Sequence, residues 1–265
     1  MAFADDIALL GEDLEEVRRA VEVIDKEFTR WGLELSLNKT KLLPLQVEEI
    51  EHFGVERGPI EVVKSFKYLG AIVSQNNCSD GEVSHRRSCA GLAFHKVRTF
   101  WSDRYIPLKV KGSFFMSLVQ STLLYNCEGW ALTQQEEQRL EAFQMSLVRR
   151  MCRVKWQSRE TNKSILQRCG VHSIANCLSY RRLRWLGHLA RMSDERMPKK
   201  LLFGVLEGTA PRGRPSKQWH DNVRSDLKKL KICYSWYNLV KSDRIEWRKR
   251  IRTFLDTPGP EAGNV

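Results

Sequence analysis

The sequence predicts an α+β chain: a short strand-bearing portion around one long helix, then a mostly α-helical remainder. Three observations carry this. Leu14, Val17, Val21, Ile24, Phe28 and Trp31 recur at alternating three- and four-residue spacing, one apolar stripe of an amphipathic helix. Leu33, Leu35 and Leu37 then alternate with polar residues, as a half-buried strand does. From Asp80 onward helical stripes take over, first Ala90, Phe94, Val97 and Trp101, later Leu140, Phe143, Leu147 and Met151.

Each element has a local reason. Residues 1–10 are two short apolar stretches around Asp5-Asp6, which fits a β-hairpin whose tip presents carboxylates. Asp13, with Glu16 three residues on, is placed to cap the first helix, and Gly32 to end it. A further strand pair is expected around 60–63 and 67–73. Pro107 suits the first turn of a helix carrying Phe114, Phe115, Leu118 and Val119. Later helices are expected over 173–191, 217–230 and 236–254. Residues 204–215 read as a basic loop and 257–265, with two prolines and two glycines, as a loose tail.

Composition narrows the classes. Of 265 residues, 42% are hydrophobic and 29% charged, which describes a globular chain. No apolar run approaches the roughly 20 residues of a membrane span, and the N-terminus lacks the basic start of a signal peptide, so a nuclear or cytoplasmic protein with no membrane partner is expected. Seven scattered cysteines do not make a disulfide scaffold. Nothing in the pattern specifies an oligomeric state. The net charge of +12 is unevenly spread: residues 1–80 hold 9 Lys+Arg against 16 Asp+Glu, and residues 81–265 hold 35 against 16. A strongly basic portion of this kind points to nucleic acid or another polyanion.

Alone, an Asp-Asp pair is ordinarily a solvated turn. Its setting changes that reading. Phe3-Ala4-Asp5-Asp6, then Gly32-Leu33-Glu34-Leu35-Ser36-Leu37-Asn38-Lys39-Thr40-Lys41, then Phe66-Lys67-Tyr68-Leu69-Gly70 resemble, in order and spacing, successive palm motifs of non-LTR retrotransposon reverse transcriptases. The family often has Asn where Ser36 stands. Leu124-Tyr125-Asn126-Cys127-Glu128-Gly129-Trp130 is similar to a stretch of the helical region after the palm. Arg181-Arg182-Leu183-Arg184-Trp185-Leu186-Gly187-His188 and Gly213-Arg214-Pro215 are similar to segments near the C-terminus of these polyproteins.

The resemblance implies a partial palm over 1–80, a thumb-like helical region over 81–155, a basic helical region over 156–256 and a tail over 257–265. It implies a fragment of an RNA-directed DNA polymerase, with an RNA template, a DNA primer and Mg2+ as partners and cofactor of the intact enzyme. Asp5 and Asp6 would be metal-site carboxylates. Lys39 would assist the leaving pyrophosphate, or is an ordinary strand-end lysine. Tyr68, Leu69 and Gly70 would shape the primer grip, unless Gly70 simply permits a turn. The family's other palm aspartate, and its fingers, would lie before Met1, so the isolated chain is expected not to polymerise and its N-terminal hairpin to keep an exposed edge. The alternative is a non-catalytic basic helical protein that binds RNA or DNA.

For binding, Arg181, Arg182 and Arg184 beside Trp185, and Arg212, Arg214 and Lys217 beside Trp219, combine phosphate partners with stacking rings. The competing reading puts Leu183, Trp185 and Leu186 against a core and leaves the arginines solvated. Cys169, Cys177 and His188 are the nearest approach to a zinc knuckle, but lack a short Cys pair and a fourth ligand, so small buried cysteines are the better reading. No P-loop, dinucleotide fingerprint or nucleophile elbow is present.

Overall fold

The computed structural model describes residues 2–45, 50–76, 79–204, 217–232 and 236–256. Of the basic loop expected over 204–215, residues 205–215 lie outside them, as does the tail over 257–265. The chain divides into two units, Met1–Glu82 and Val83–Val265.

In the first unit, strands β1 (Ala2–Phe3) and β2 (Asp6–Ile7) pair antiparallel with Phe3 opposite Asp6. Ala4 takes a φ of 48°, the left-handed backbone that lets a hairpin reverse in two residues. Helix α1 (Leu14–Arg30) follows. Asp13 stands at its N-cap, yet contrary to expectation its side chain makes no capping bond; Glu15 and Glu16 instead place negative charge on the first turn. The C-terminus does close at Gly32. The Gly32 N–H donates to Thr29 (3.1 Å) and the Leu33 N–H to Phe28 (2.9 Å), with Gly32 at φ 71°, the two bonds of a Schellman motif.

The rest of this unit is three short strands and a hairpin. β3 (Lys41–Leu42) runs parallel to β5 (Gly58–Val62), which pairs antiparallel with β4 (Phe53–Val55). Val21 of α1, Phe53 and Ile60 form a small core, flanked by half-buried Val17, Leu35, Leu37, Leu42, Val55 and Val62. The strand expected at Leu33–Leu37 is not one. Leu35 and Leu37 are half-buried between exposed Glu34 and Ser36 while Leu33 is exposed, so the alternation reports burial at two of its three leucines, and no neighbouring strand supplies a ladder. The expected pairing of 60–63 with 67–73 is also corrected. Ile60 belongs to β5, while β6 (Ser65–Tyr68) folds directly onto β7 (Ala71–Ser74). The reason is the turn between them, where Leu69 and Gly70 have φ of 46° and 84°, the double left-handed geometry of a tight hairpin.

The second unit opens in α2 (Asp80–Lys96) and α3 (Arg98–Ser102). The stripe from Ala90 to Trp101 is therefore broken, at Val97 (φ −114°, ψ 34°). Trp101 folds back so that its ring stacks on Phe94 at 5.0 Å and its Nε1–H donates to the Phe94 carbonyl (2.8 Å). Pro107 is the N-cap of α4 (Leu108–Phe115) rather than a first-turn residue, and this helix runs through a π turn (Met116–Gln120) into α5 (Ser121–Leu123). α6 (Gln134–Met151) starts with a capping box: the Thr133 hydroxyl accepts from the Glu136 N–H and the Glu136 carboxylate accepts from the Thr133 N–H. α7 (Asn162–Cys169) and α8 (Ile174–Arg191) are capped by the Thr161 and Ser173 hydroxyls.

After α8 come α9 (Met197–Phe203), α10 (Trp219–Lys229), α11 (Trp236–Ser242) and α12 (Arg244–Asp256). The single helix expected over 236–254 splits at Asp243, whose carboxylate accepts from the Ile245 and Glu246 N–H groups (both 2.9 Å) and so starts a new helix. One core, built around Phe94, Phe115, Leu140 and Ile165, extends from Val83 to Leu178 and crosses position 155. A second gathers Leu183, Leu186, Val223, Trp247 and Ile251. α8 contributes to both, so it is the spine of the unit. Gly187 lets α12 lie against it: a Cβ there would stand 2.4 Å from Trp247 Nε1. Among the described residues no helix is long and apolar enough to cross a membrane.

Candidate functional site

The residues with polymerase-like motifs sit in the first unit. Asp5 lies at the hairpin tip and Asp6 in β2, both exposed. Lys39 is exposed in a turn, with its N–H donating to the Ser36 carbonyl (3.1 Å). Tyr68 ends β6, and Leu69-Gly70 form the turn into β7. The core of this unit draws on α1 and β3–β5 and takes no side chain from residues 2–7. A two-metal centre holds its ions about 3.5–4 Å apart between shared carboxylates. Asp5 and Asp6 are neighbours in sequence, and among the described residues no three His, Cys, Asp or Glu side chains gather as such a site. The donors present do not fit a magnesium pair, and no chemical step is derived through one.

The second unit offers a different arrangement. Arg181, Arg184, His188 and Arg191 recur at three- and four-residue spacing, so they share one face of α8. With Trp185 they line a cleft of about 580 Å³, walled opposite by Arg244, Trp247 and Arg248 of α12 and closed by Asn126 and Glu128. Arg181 is fixed by donating to the Leu124 carbonyl (2.7 Å) and stands 4.0 Å from Glu128. The Trp185 and His188 rings lie 5.3 Å apart at 43°. Arg184, Arg191, Arg244 and Arg248 make no ion pair among the described residues.

Arg191 is the most constrained of these. Its Nη1 is buried without a hydrogen-bond partner. Burial, then the neighbouring charges of Arg244 and Arg248, hold its guanidinium below the usual arginine range. The Trp247 Nε1–H, also on this wall, is buried without an acceptor. The cleft is therefore rich in donors and positive charge and poor in acceptors.

The other residues singled out by sequence are dispersed. Arg182 does not join its neighbours: it is 2% exposed, pairs with Asp226 at 2.5 Å and reaches Glu137 at 3.4 Å. Consecutive helical residues point about 100° apart, so Arg181 and Arg182 cannot face one ligand. Lys217 is exposed ahead of α10, and Arg212 and Arg214 lie outside the described residues. Trp219 is half-buried against the second core, with its Nε1–H donating to the Glu128 carbonyl (2.7 Å). Arg191, Arg244 and Arg248 were missed by sequence reasoning. The signal for Arg191 was present, since it continues the face of Arg184 and His188. Nothing in the sequence reveals that α12 returns to α8.

The thiols sort by environment. Cys169 and Cys177 are core residues, and Cys177 lies some three turns, about 16 Å, along α8 from His188. Burial pushes the Cys127 and Cys177 thiols up to about 12. The neighbouring Cys169 thiol, and after it Arg168, bring the Cys152 thiol below its ordinary value.

An uncharacterised transposon-derived protein of Caenorhabditis elegans is 26% identical over 265 residues, covering 95% of this chain and 94% of its own length. No family model matches the chain, and no solved structure matches it.

Proposed function

We propose that the chain derives from a transposable element, more specifically from a non-LTR retrotransposon reverse transcriptase, and that it binds nucleic acid without polymerising it. The observation that carries the binding is the α8–α12 cleft, where five arginines converge and four of them have no carboxylate partner. Unpaired cations on a concave surface recruit phosphates, and each counterion released adds affinity. The order of the three palm-like motifs and the end-to-end likeness to a transposon-derived protein support the origin.

The test is primer extension on an RNA template with magnesium and nucleotides, beside binding measured at two salt concentrations, for the native chain and Asp5→Ala. The expected result is no extension from either protein and equal binding that weakens with salt. Extension that disappears in Asp5→Ala would overturn the non-catalytic reading. Absence of binding at low salt would overturn the nucleic-acid reading.

A further inference from the structure

The α8–α12 cleft has a shape as well as a charge. Proteins that read a duplex push a helix or ribbon outward into a groove. Here Arg184, Arg191, Arg244 and Arg248 line a cleft between two helices, Arg191 half-buried and the other three exposed, around a space of about 580 Å³. That volume falls in the range of small-ligand pockets, roughly 300–1,000 Å³, and does not admit a double helix.

Its chemistry is graded along α8. Arg191 stands at one end with Arg244 and Arg248 close enough to disfavour its charge, and its buried Nη1 has no acceptor. A phosphate would relieve both conditions, supplying acceptor oxygens and negative charge to three guanidiniums, one charge from a phosphodiester and up to two from a terminal monoester. Arg181 lies ten residues away, about 15 Å along the axis, beside Glu128. Between these ends are Trp185, half-buried, and His188, exposed. Ring faces there are placed for an unpaired base to stack. Glu128, the one carboxylate among the described residues lining the cleft, can accept hydrogen bonds from base amino groups and repel a second phosphate.

We infer that this cleft is a nucleotide pocket. It takes one unpaired nucleotide of a single strand, with the phosphate on Arg191, Arg244 and Arg248 and the base against Trp185. The inference rests on the nucleic-acid reading above but commits to single strands and to a particular pocket.

The experiment uses the full chain. Binding is measured for adenosine 5′-monophosphate, adenosine, a single-stranded RNA 12-mer and the same sequence as a duplex. The variants are Arg191→Met, Arg248→Met and Trp185→Leu, with Arg252→Met as a charge-matched control on an exposed position of α12 outside the cleft. Arg248 is exposed, so its variant keeps the test sound if Arg191→Met fails to fold. The expected result is preference for the single strand over the duplex and for the monophosphate over adenosine. Arg191→Met and Arg248→Met should lose about tenfold, Trp185→Leu a similar factor for the 12-mer, and Arg252→Met little.

Equal binding of duplex and single strand would overturn the pocket while leaving nucleic-acid binding standing. So would equal losses from Arg248→Met and Arg252→Met. Monophosphate binding lost in Arg248→Met, without binding of the 12-mer, would overturn the single-strand pocket together with the nucleic-acid reading and leave a free-nucleotide site. No binding of any ligand would overturn both.

Discussion

Arg182 and Arg184 are two residues apart and do opposite work, and the same division runs through the basic second unit. Some cations are internal. Arg182 is buried on Asp226, Lys111 donates to the Trp101 (2.9 Å) and Asp103 (2.5 Å) carbonyls, and Lys199 caps the end of α8 through the Ala190 (3.1 Å) and Met192 (2.6 Å) carbonyls. These satisfy orphan carbonyls at helix ends or a buried charge, and are not available to a ligand. Asp226→Ala would leave the Arg182 guanidinium buried with only the longer contact to Glu137 (3.4 Å) as a carboxylate partner. The expected cost is about 3–5 kcal/mol, read as a fall in the denaturation midpoint. Cys152 allows a second prediction. The neighbouring Cys169 thiol and Arg168 lower the Cys152 thiol, whereas burial raises Cys127 and Cys177. Iodoacetamide labelling of the native chain should therefore reach Cys152 ahead of Cys127 and Cys177. Mass-spectrometric mapping over a pH series checks this, and Cys169→Ala should slow labelling of Cys152 at neutral pH.

At the scale of elements, what was legible in the sequence is what local chemistry decides. The α1 stripe and its closure at Gly32 follow from spacing and from a left-handed residue, and both are observed. The misread strand at Leu33–Leu37 shows the boundary, because alternation reports burial whereas a strand needs a partner supplied from elsewhere. The Leu69-Gly70 turn shows another, since a leucine in left-handed backbone is not what a sequence reader expects at a tight hairpin. Leu69→Asn would give this turn the residue pair its geometry favours, and a gain of roughly 1 kcal/mol in stability is expected from equilibrium unfolding. Gly187 is a further case. Its meaning depends on α12 lying against α8, a contact no local pattern announces. Gly187→Ala should push Trp247 away, cost about 1–3 kcal/mol and weaken nucleic-acid binding by moving the wall that carries Arg244 and Arg248.

Across the whole molecule, the charge asymmetry was legible but its address was not. Residues 81–265 carry an excess of 19 positive charges, and only tertiary folding decides which of them gather. The side chains that converge come from α8 and α12, more than fifty residues apart, while Arg182, chosen from its neighbours in sequence, turns inward. The first unit shows the converse. Its motifs are ordered as in a polymerase palm, yet its carboxylates stand exposed on a hairpin that contributes nothing to the core. On the proposed reading the chain binds nucleic acid through its second unit. The salt dependence of RNA binding tests this most directly. With one phosphate held in the cleft, the plot of log K against log salt should fall with a slope of at least about −0.7. Arg191→Met with Arg248→Met should make it shallower by about 0.7. A slope near zero, or one unchanged by that double substitution, would contradict the account.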